Sequence, residues 1–421
     1  MSSDRKKEIF VFALFALLIF LIHLPMEIVS DDLVNMEEQV MLSGLPKKWY
    51  FLFLFNGRFL TDGLAWFFYC VPYILWKAFD TVVWCILLVL IRRLFTDRSF
   101  RMLVVCAVLV LLFPILRYMA SAGYIATMTN YIYTMTAMLI GITPVVKKVR
   151  KETVSKKEIV LAALFLIYAE NHDQTAMVAM GAFFLTGVLF FAEWKKNASE
   201  ESRQSFRFCL RFLIYALIVY VLMYITPGHL YRIQIGDIYP YWLPGYETWP
   251  IWEKVWRGVA TTFANLFFVQ PVVFRVFCGL LIFLLLKNGA KKTAAALGFL
   301  LLGTAILEPD WFVIYYEYAV GMPDLHEIAY SPLGAIVSLC FFAVLILSVL
   351  QIRKADRDLG DRLFLLNILG FGSRFMMGLS STLYLSSFRT FTAQLFCFII
   401  CDVLLAGKIL GTMEMRGKTG E

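Results

Sequence analysis

Stretches of about twenty consecutive apolar residues recur along this chain, and they limit what it can fold into more than any other feature. "EIFVFALFALLIFLIHLPMEIV" follows Arg5, Lys6 and Lys7, and comparable runs return until close to the C-terminus. A bilayer core of ~30 Å needs about twenty helical residues at 1.5 Å per residue, so each run has the length of a membrane crossing. Barrels are excluded, because their strands alternate in polarity instead of running apolar throughout. The chain is 60% hydrophobic and only 17% charged, with a mean hydropathy of +0.73, so the expected class is an all-α polytopic membrane protein. The first run is too long for a signal peptide and no small-residue cleavage site follows it, so it reads as a retained signal anchor.

Apolar windows predict crossings near 9–29, 76–93, 102–118, 127–146, 159–171, 174–194, 208–226, 259–286, 293–309, 332–352, 363–381 and 391–411. That is about 12 transmembrane helices, with a range of 11–13. The stretch 51–75 is apolar too, but it carries "NGR", Asp62 and Pro72, and reads as an interfacial helix on the outer surface after the first span. The expected organisation is one integral membrane domain over 1–421, with outer loops at 30–75, 227–258 and 308–331. With both termini inside, most of the 39 Lys and Arg fall in inner segments, as the positive-inside rule requires. Basic residues confined to short loops between spans do not suggest nucleic acid. The eight cysteines lie in or beside apolar segments without a C-x-x-C pair, and read as buried and inert.

The outer loops hold the chemistry. Asp31 and Asp32 stand where the first span leaves the membrane, in "IVSDDLVNMEEQ". A carboxylate fixed there can deprotonate a hydroxyl at the membrane surface, and two adjacent acids raise one another's pKa, which suits a base. Arg58 in "NGR", Arg232 in "TPGHLYR" and Arg389 in "FRT" all break the inside bias. Arginine grips phosphate in a bidentate manner, and His229 three residues before Arg232 could share the grip, so the four residues suggest an anionic lipid ligand. "SAGYIATMTNYIYT" puts Asn130 and Tyr131 at membrane depth, where polar groups face a cavity or another helix. "YAENHDQTA" packs Glu170, Asn171, His172, Asp173 and Gln174 into a very short connection, where Glu170, Asn171 and His172 read as orienting substrate hydroxyls in a pocket, and His172 with Glu170 and Asp173 could in principle bind a metal. A divalent metal is the weaker reading of that cluster, since only one histidine is local. No cofactor is called for with certainty, and no nucleotide-binding glycine motif is present.

Taken in order, "SDD", "GR", "TNYIYT", "AENHDQ", "TPGHLYR" and "FRT" resemble the signature of an uncharacterised bacterial family of polytopic membrane proteins close to the GT-C glycosyltransferases. The resemblance spans residues 9–400, and this chain departs from the family's pattern at His229, where Asn is usual. It implies a GT-C-like fold and an inverting transfer of sugar from a polyprenyl (undecaprenyl) phosphate donor. The acceptor would be a surface polysaccharide, a teichoic-acid-like polymer or a glycolipid, on the outer face of the cell membrane. It implies that Asp31 or Asp32 is the base, without saying which. The expected partners are therefore the lipid-linked sugar, the glycan acceptor and membrane lipids. The alternative is a transporter or flippase for a lipid-linked sugar or other anion. That alternative needs polar groups deep in several spans, whereas stretches such as 9–22 and 336–350 are almost purely apolar. A lipid-linked polysaccharide polymerase would need more arginine than Arg232 and Arg257 supply in the 227–258 loop.

Overall fold

The computed structural model describes residues 3–41, 58–230, 245–307, 311–317, 326–384 and 386–418. In chain order the first helices are α1 (Ser3–His23), α2 (Asp31–Met41), α3 (Phe59–Tyr69), α4 (Tyr73–Phe95), α5 (Phe100–Leu111) and α6 (Ile115–Met119). Next come α7 (Tyr124–Val149, with a π-helical segment at Met128–Ile132), α8 (Lys156–Ala169), α9 (Asp173–Asn197) and α10 (Glu200–Tyr224). Then follow α11 (Ile251–Val269), α12 (Val272–Lys287), α13 (Lys291–Ile306), α14 (Pro332–Ala355), α15 (Arg357–Phe375) and α16 (Thr392–Lys418).

A helix overlaps each of the twelve segments expected to cross. Among the described residues six are long and apolar enough to do so, or seven if α11 and α12, bent by 73° at their junction, form one span. The protein is therefore a helical, multi-pass membrane protein. Its surface agrees, with Phe10, Phe299 and Ile306 at 66%, 77% and 79% exposure. The remaining helices fall short for two reasons. α1 is charged from Asp4 to Glu8, and α8, with 14 residues, is only about 21 Å long.

Four expectations need correction. The run 259–286 is not one straight helix. Pro271 has no N–H to donate, and Gln270 takes a left-handed φ of 52°. The Gln270 side-chain amide, with two hydrogens to give, lies within hydrogen-bond distance of Phe267 O, Leu301 O and Thr304 Oγ1 at 3.1, 3.0 and 2.6 Å, and so helps to satisfy the break. Pro114 likewise divides 102–118 between α5 and α6. The loop expected at 227–258 gives way to helix from Ile251, and 308–331 contains an antiparallel hairpin, β1 (Val313–Glu317) with β2 (His326–Tyr330). Among the described residues this hairpin is the only sheet in an otherwise helical chain.

The chain forms two compact units. The first comprises Met1–Leu94, Pro114–Ile238 and Phe388–Ala393. One end of its bundle is tied by surface ion pairs: Arg92 with Glu8 at 2.5 Å, and Lys147 and Arg93 with Glu158 at 2.9 and 3.2 Å. These join the start of α1, the ends of α4 and α7 and the start of α8, which are the basic segments read as inner. The second unit comprises Phe95–Phe113, Tyr239–Ser387 and Gln394–Glu421, with a phenylalanine core. Phe267 stacks on Phe341 at 4.5 Å, and Phe274 and Phe277 pack on Phe398 at 5.3 and 5.0 Å. Gly258 and Gly378 let α11 touch the turn after α15, since a Cβ on Gly378 would lie 1.9 Å from Lys254 O.

The span interiors also carry more charge than the sequence reading allowed. His23, Lys77 and Asp80 are buried in the first unit, and Arg374 and Asp402 in the second. His23 Nδ1 donates to Ile19 O at 2.6 Å, while its Nε2 lies 2.5 Å from Asp80 Oδ2. Trp84 Nε1 donates to the same carboxyl oxygen at 3.0 Å. A carbonyl only accepts, so Nδ1 carries a proton, and a single further proton bridges Nε2 and Oδ2. Removing one partner of such a pair leaves the other polar group buried alone. Asp80→Ala should therefore destabilise the protein by about 3–5 kcal/mol, read as a lower midpoint of thermal unfolding in detergent.

Candidate functional site

The far end of the first unit gathers most of the residues singled out in the sequence. It is built around two carboxylates and the short helix α3 between them. After α1, Ser30 takes a φ of 55° and reverses the chain, so that α2 begins with Asp31 and Asp32. Asp31 is exposed; Asp32 is fully buried. The Asp32 carboxylate accepts from Ile125 N at 2.8 Å, Ala126 N at 2.9 Å and the Tyr69 hydroxyl at 2.9 Å. It thereby caps the start of α7, taking up amides that have no partner within the helix. Gly123 makes the approach feasible: its φ is +83°, and a Cβ there would lie 2.3 Å from Asp32 Cγ. Burial pushes the Asp32 carboxyl up to about 6, against the pull of the two amides and Tyr69, with the Asp31 charge adding to the rise. Burial and the neighbouring carboxylate also hold the Tyr69 phenol well above its usual value.

α3 links this cap to a second cluster. Tyr69 is its last residue and Arg58 its N-cap, with 11 helical residues, about 16 Å, between them. Arg58 Nη2 bonds Asp173 Oδ2 at 2.9 Å, and Tyr220 donates to Asp173 Oδ1 at 3.2 Å. Asn171 Oδ1 accepts from Leu60 N at 3.1 Å, which satisfies an amide at the start of α3. The turn between α8 and α9 is therefore pinned to α3 at two points. His172 Nδ1 lies 3.2 Å from Thr175 Oγ1, and the Tyr131 ring meets its imidazole edge-on at 4.4 Å. His229, buried against Tyr224 at 4.4 Å, is also close enough to Asp173 for its charge to be felt there.

Three buried groups at this end have atoms left over. Glu170 is 0% exposed, and among the described residues no donor reaches either carboxyl oxygen. Burial alone pushes this carboxyl up to about 9. Arg58 Nε is likewise buried without a hydrogen-bond partner. Asn130, in the π segment, donates to Ala126 O at 2.9 Å and keeps an unpartnered Oδ1. Unsatisfied buried polar atoms are rare and costly, so these four, on three residues of one region, call for an explanation.

The sequence candidates thus separate. Arg58, Asn130, Tyr131, Glu170, Asn171, His172 and His229 lie in one connected region. Asp32 is joined to it through Tyr69 and α3. Arg389 is half-buried on a segment that Gln174 Nε2 fastens to α9 by donating to Thr390 O at 2.9 Å. Arg232 lies outside the described residues. Among the described residues no group of three or more His, Cys, Asp or Glu is set to hold a metal. Sequence reasoning placed Asp173 in the polar turn only as a possible metal ligand, and omitted Tyr69 and Tyr220. Asp173 had a signal, being an acid in the first turn of a span beside an unusual outer arginine; the two tyrosines had none. No family model, curated protein or solved structure matches this chain.

The two acids at the exit of α1 should behave differently. Asp32→Ala removes the cap and strands two amides, so it should cost about 1–3 kcal/mol, while Asp31→Ala should leave the unfolding midpoint almost unchanged. Asp32 should also impart a pH dependence. Its pKa is raised on folding, so the stability it contributes is full below its ordinary value of 3.8 and is lost as pH rises towards about 6. Unfolding curves between pH 4 and 7 should show this slope in wild type and lose it in Asp32→Asn, which does not titrate.

Proposed function

We propose that this protein is a membrane glycosyltransferase of GT-C type, moving a sugar from a polyprenyl phosphate donor to a glycan or glycolipid acceptor on the outer face. The observation that carries the reading is Arg58. It is a cation fixed by Asp173 at the end of α3, and its buried Nε is left for an anionic oxygen. Phosphate offers such oxygens, and a guanidinium held in advance stabilises the charge that develops on a leaving polyprenyl phosphate without reorganising. His229 and the segment bearing Arg389 add positive charge or donors in the same region. Glu170, Asn171, His172, Asn130 and Tyr131 supply neutral hydrogen-bonding groups suited to a sugar.

In this reading the acceptor hydroxyl attacks the anomeric carbon. The bond from that carbon to the phosphate oxygen breaks with its electron pair, the polyprenyl phosphate departs, and the hydroxyl proton passes to a carboxylate. Asp31, exposed where Asp32 is fully buried, is the member of the pair assigned as base. Asp32 is a positioning residue that holds α2 against α7 and so sets where Asp31 stands. The attack inverts the anomeric centre.

A transporter for a lipid-linked sugar or other anion is the second reading, and one observation favours it. Asp402 lies in the middle of α16, fully buried, with no hydrogen bond to either oxygen among the described residues. Ionisable residues inside spans mark ion or proton pathways.

The two readings separate in a transfer assay. Purified protein in nanodiscs is supplied with a radiolabelled polyprenyl-phosphate hexose and membranes from a strain lacking the gene. Label should move to polymer or glycolipid with wild type, fall at least a hundredfold with Asp31→Asn as expected for a lost general base, and fall likewise with Arg58→Gln. Label that merely crosses the bilayer, still on its lipid, would establish transport instead.

A further inference from the structure

Three contacts run like rungs between the turn before α9 and the π segment of α7. Tyr168 donates to Thr129 O at 3.1 Å, the Tyr131 ring meets that of His172 at 4.4 Å, and the Thr134 and Thr175 hydroxyls lie 3.0 Å apart. Residue numbers rise together along the two segments, so Glu170 falls opposite Asn130, between the first two rungs. Both residues are buried. Among the described residues, neither carboxyl oxygen of Glu170 has a hydrogen-bond partner, and the amide oxygen of Asn130 has none either.

Both groups are held in place. Glu170 N donates to Leu166 O at 2.8 Å, and the two residues that pin this turn to α3, Asn171 and Asp173, lie within three positions of it. Asn130 Nδ2 donates to Ala126 O at 2.9 Å, and since a carbonyl only accepts, this contact fixes which end of the amide is oxygen. Burial alone raises the Glu170 carboxyl to about 9, so at neutral pH it carries its proton. The pair therefore presents three unmet atoms: an O–H donor and a carbonyl acceptor on Glu170, and a second acceptor on Asn130.

We infer that Glu170 and Asn130 form a sugar subsite that selects a vicinal diol, with Glu170 working as an uncharged acid. Two adjacent hydroxyls satisfy all three atoms. One accepts from the Glu170 O–H and donates to Asn130 Oδ1; the other donates to the remaining Glu170 oxygen. A phosphodiester, which only accepts, would satisfy one of the three, and a lone hydroxyl two. An ammonium group would need Glu170 charged. The subsite rests on the glycosyltransferase reading, in which Arg58 takes the phosphate of the same donor; the uncharged state of Glu170 does not. Both residues are thus specificity-determining.

Full-length protein in nanodiscs is assayed with a panel of polyprenyl-phosphate hexoses, and the best donor is compared with analogues each lacking one ring hydroxyl. Glu170→Gln keeps a donor and an acceptor without charge, so the donor KM should stay within about threefold of wild type. Glu170→Leu removes both bonds and should raise KM about ten- to hundredfold, with a smaller change in kcat. Loss of either hydroxyl of the diol should raise the wild-type KM by about three- to tenfold or more, and should add little to the loss already present in Glu170→Leu. Glu170→Gln as poor as Glu170→Leu overturns the inference, because a charge is then required, as an ammonium-bearing ligand would demand. Wild type indifferent to every missing hydroxyl overturns it too. Infrared difference spectra of wild type against Glu170→Gln read the acid directly. A protonated carboxyl band is expected at neutral pH, and a carboxylate band in its place overturns the uncharged state. Wild type that transfers no sugar while the protonated band is present overturns the glycosyltransferase reading and the diol subsite with it.

Discussion

A backbone amide or carbonyl that loses its helical partner in apolar surroundings has no water to turn to, and this requirement governs most of what is unusual in the structure. Asp32 supplies the acceptor for the first amides of α7, and Asn171 does the same for Leu60 at the start of α3. Where Pro271 breaks the helical ladder, the Gln270 side chain reaches back to the Phe267 carbonyl. At the basic end, Ser155 and Glu158 form a reciprocal cap on α8. In each case a polar side chain has a demonstrable structural duty, and two of them, Asp32 and Asn171, are residues that look functional in sequence. The chemical interest moves to the groups that have none, chiefly Glu170 and the Nε of Arg58.

That distinction explains how much could be read from the sequence. Apolar run lengths located a helix at every expected crossing, and charge bias grouped the basic segments at 5–7, 92–101 and 147–157, where Arg92 and Lys147 are found paired with Glu8 and Glu158. The acid pair, Arg58 and the turn at 170–172 were visible because polar residues are scarce in this chain and stand out. The division of labour between Asp31 and Asp32 was not visible, because it depends on the positive φ of Gly123, 91 residues away in sequence. The break at Gln270–Pro271 was signalled by the proline, yet the surrounding apolar run masked it. Buried charges such as Asp80 and Asp402 were also missed, since one ionisable residue in a long apolar window hardly lowers its mean.

α3 has a larger part than its length suggests. It is too short to cross a membrane, and its apolar sequence gives it no independent reason to persist. It is held at one end by Arg58 on Asp173 and at the other by Tyr69 on Asp32. The first unit therefore joins the exit of α1, the start of α7 and the turn before α9 through one helix. The two acids that α3 bridges belong to clusters with different duties, one backbone capping and the other charge pairing.

The π segment at Met128–Ile132 lies between two sets of contacts that must be mutually in phase. On its N-terminal side are Ile125 and Ala126, held by Asp32; on its C-terminal side is Thr134, facing Thr175. A π turn accommodates one residue more than an α turn, and each residue of an α-helix rotates the chain by about 100°. Loss of one residue here would restore a regular helix and swing the capped end away from Asp32 while Thr134 stayed in place. Natural variation in the length of this chain should consequently avoid Met128–Ile132. The wide turn acts as a spacer, recording in the backbone a phase that no individual side chain could restore.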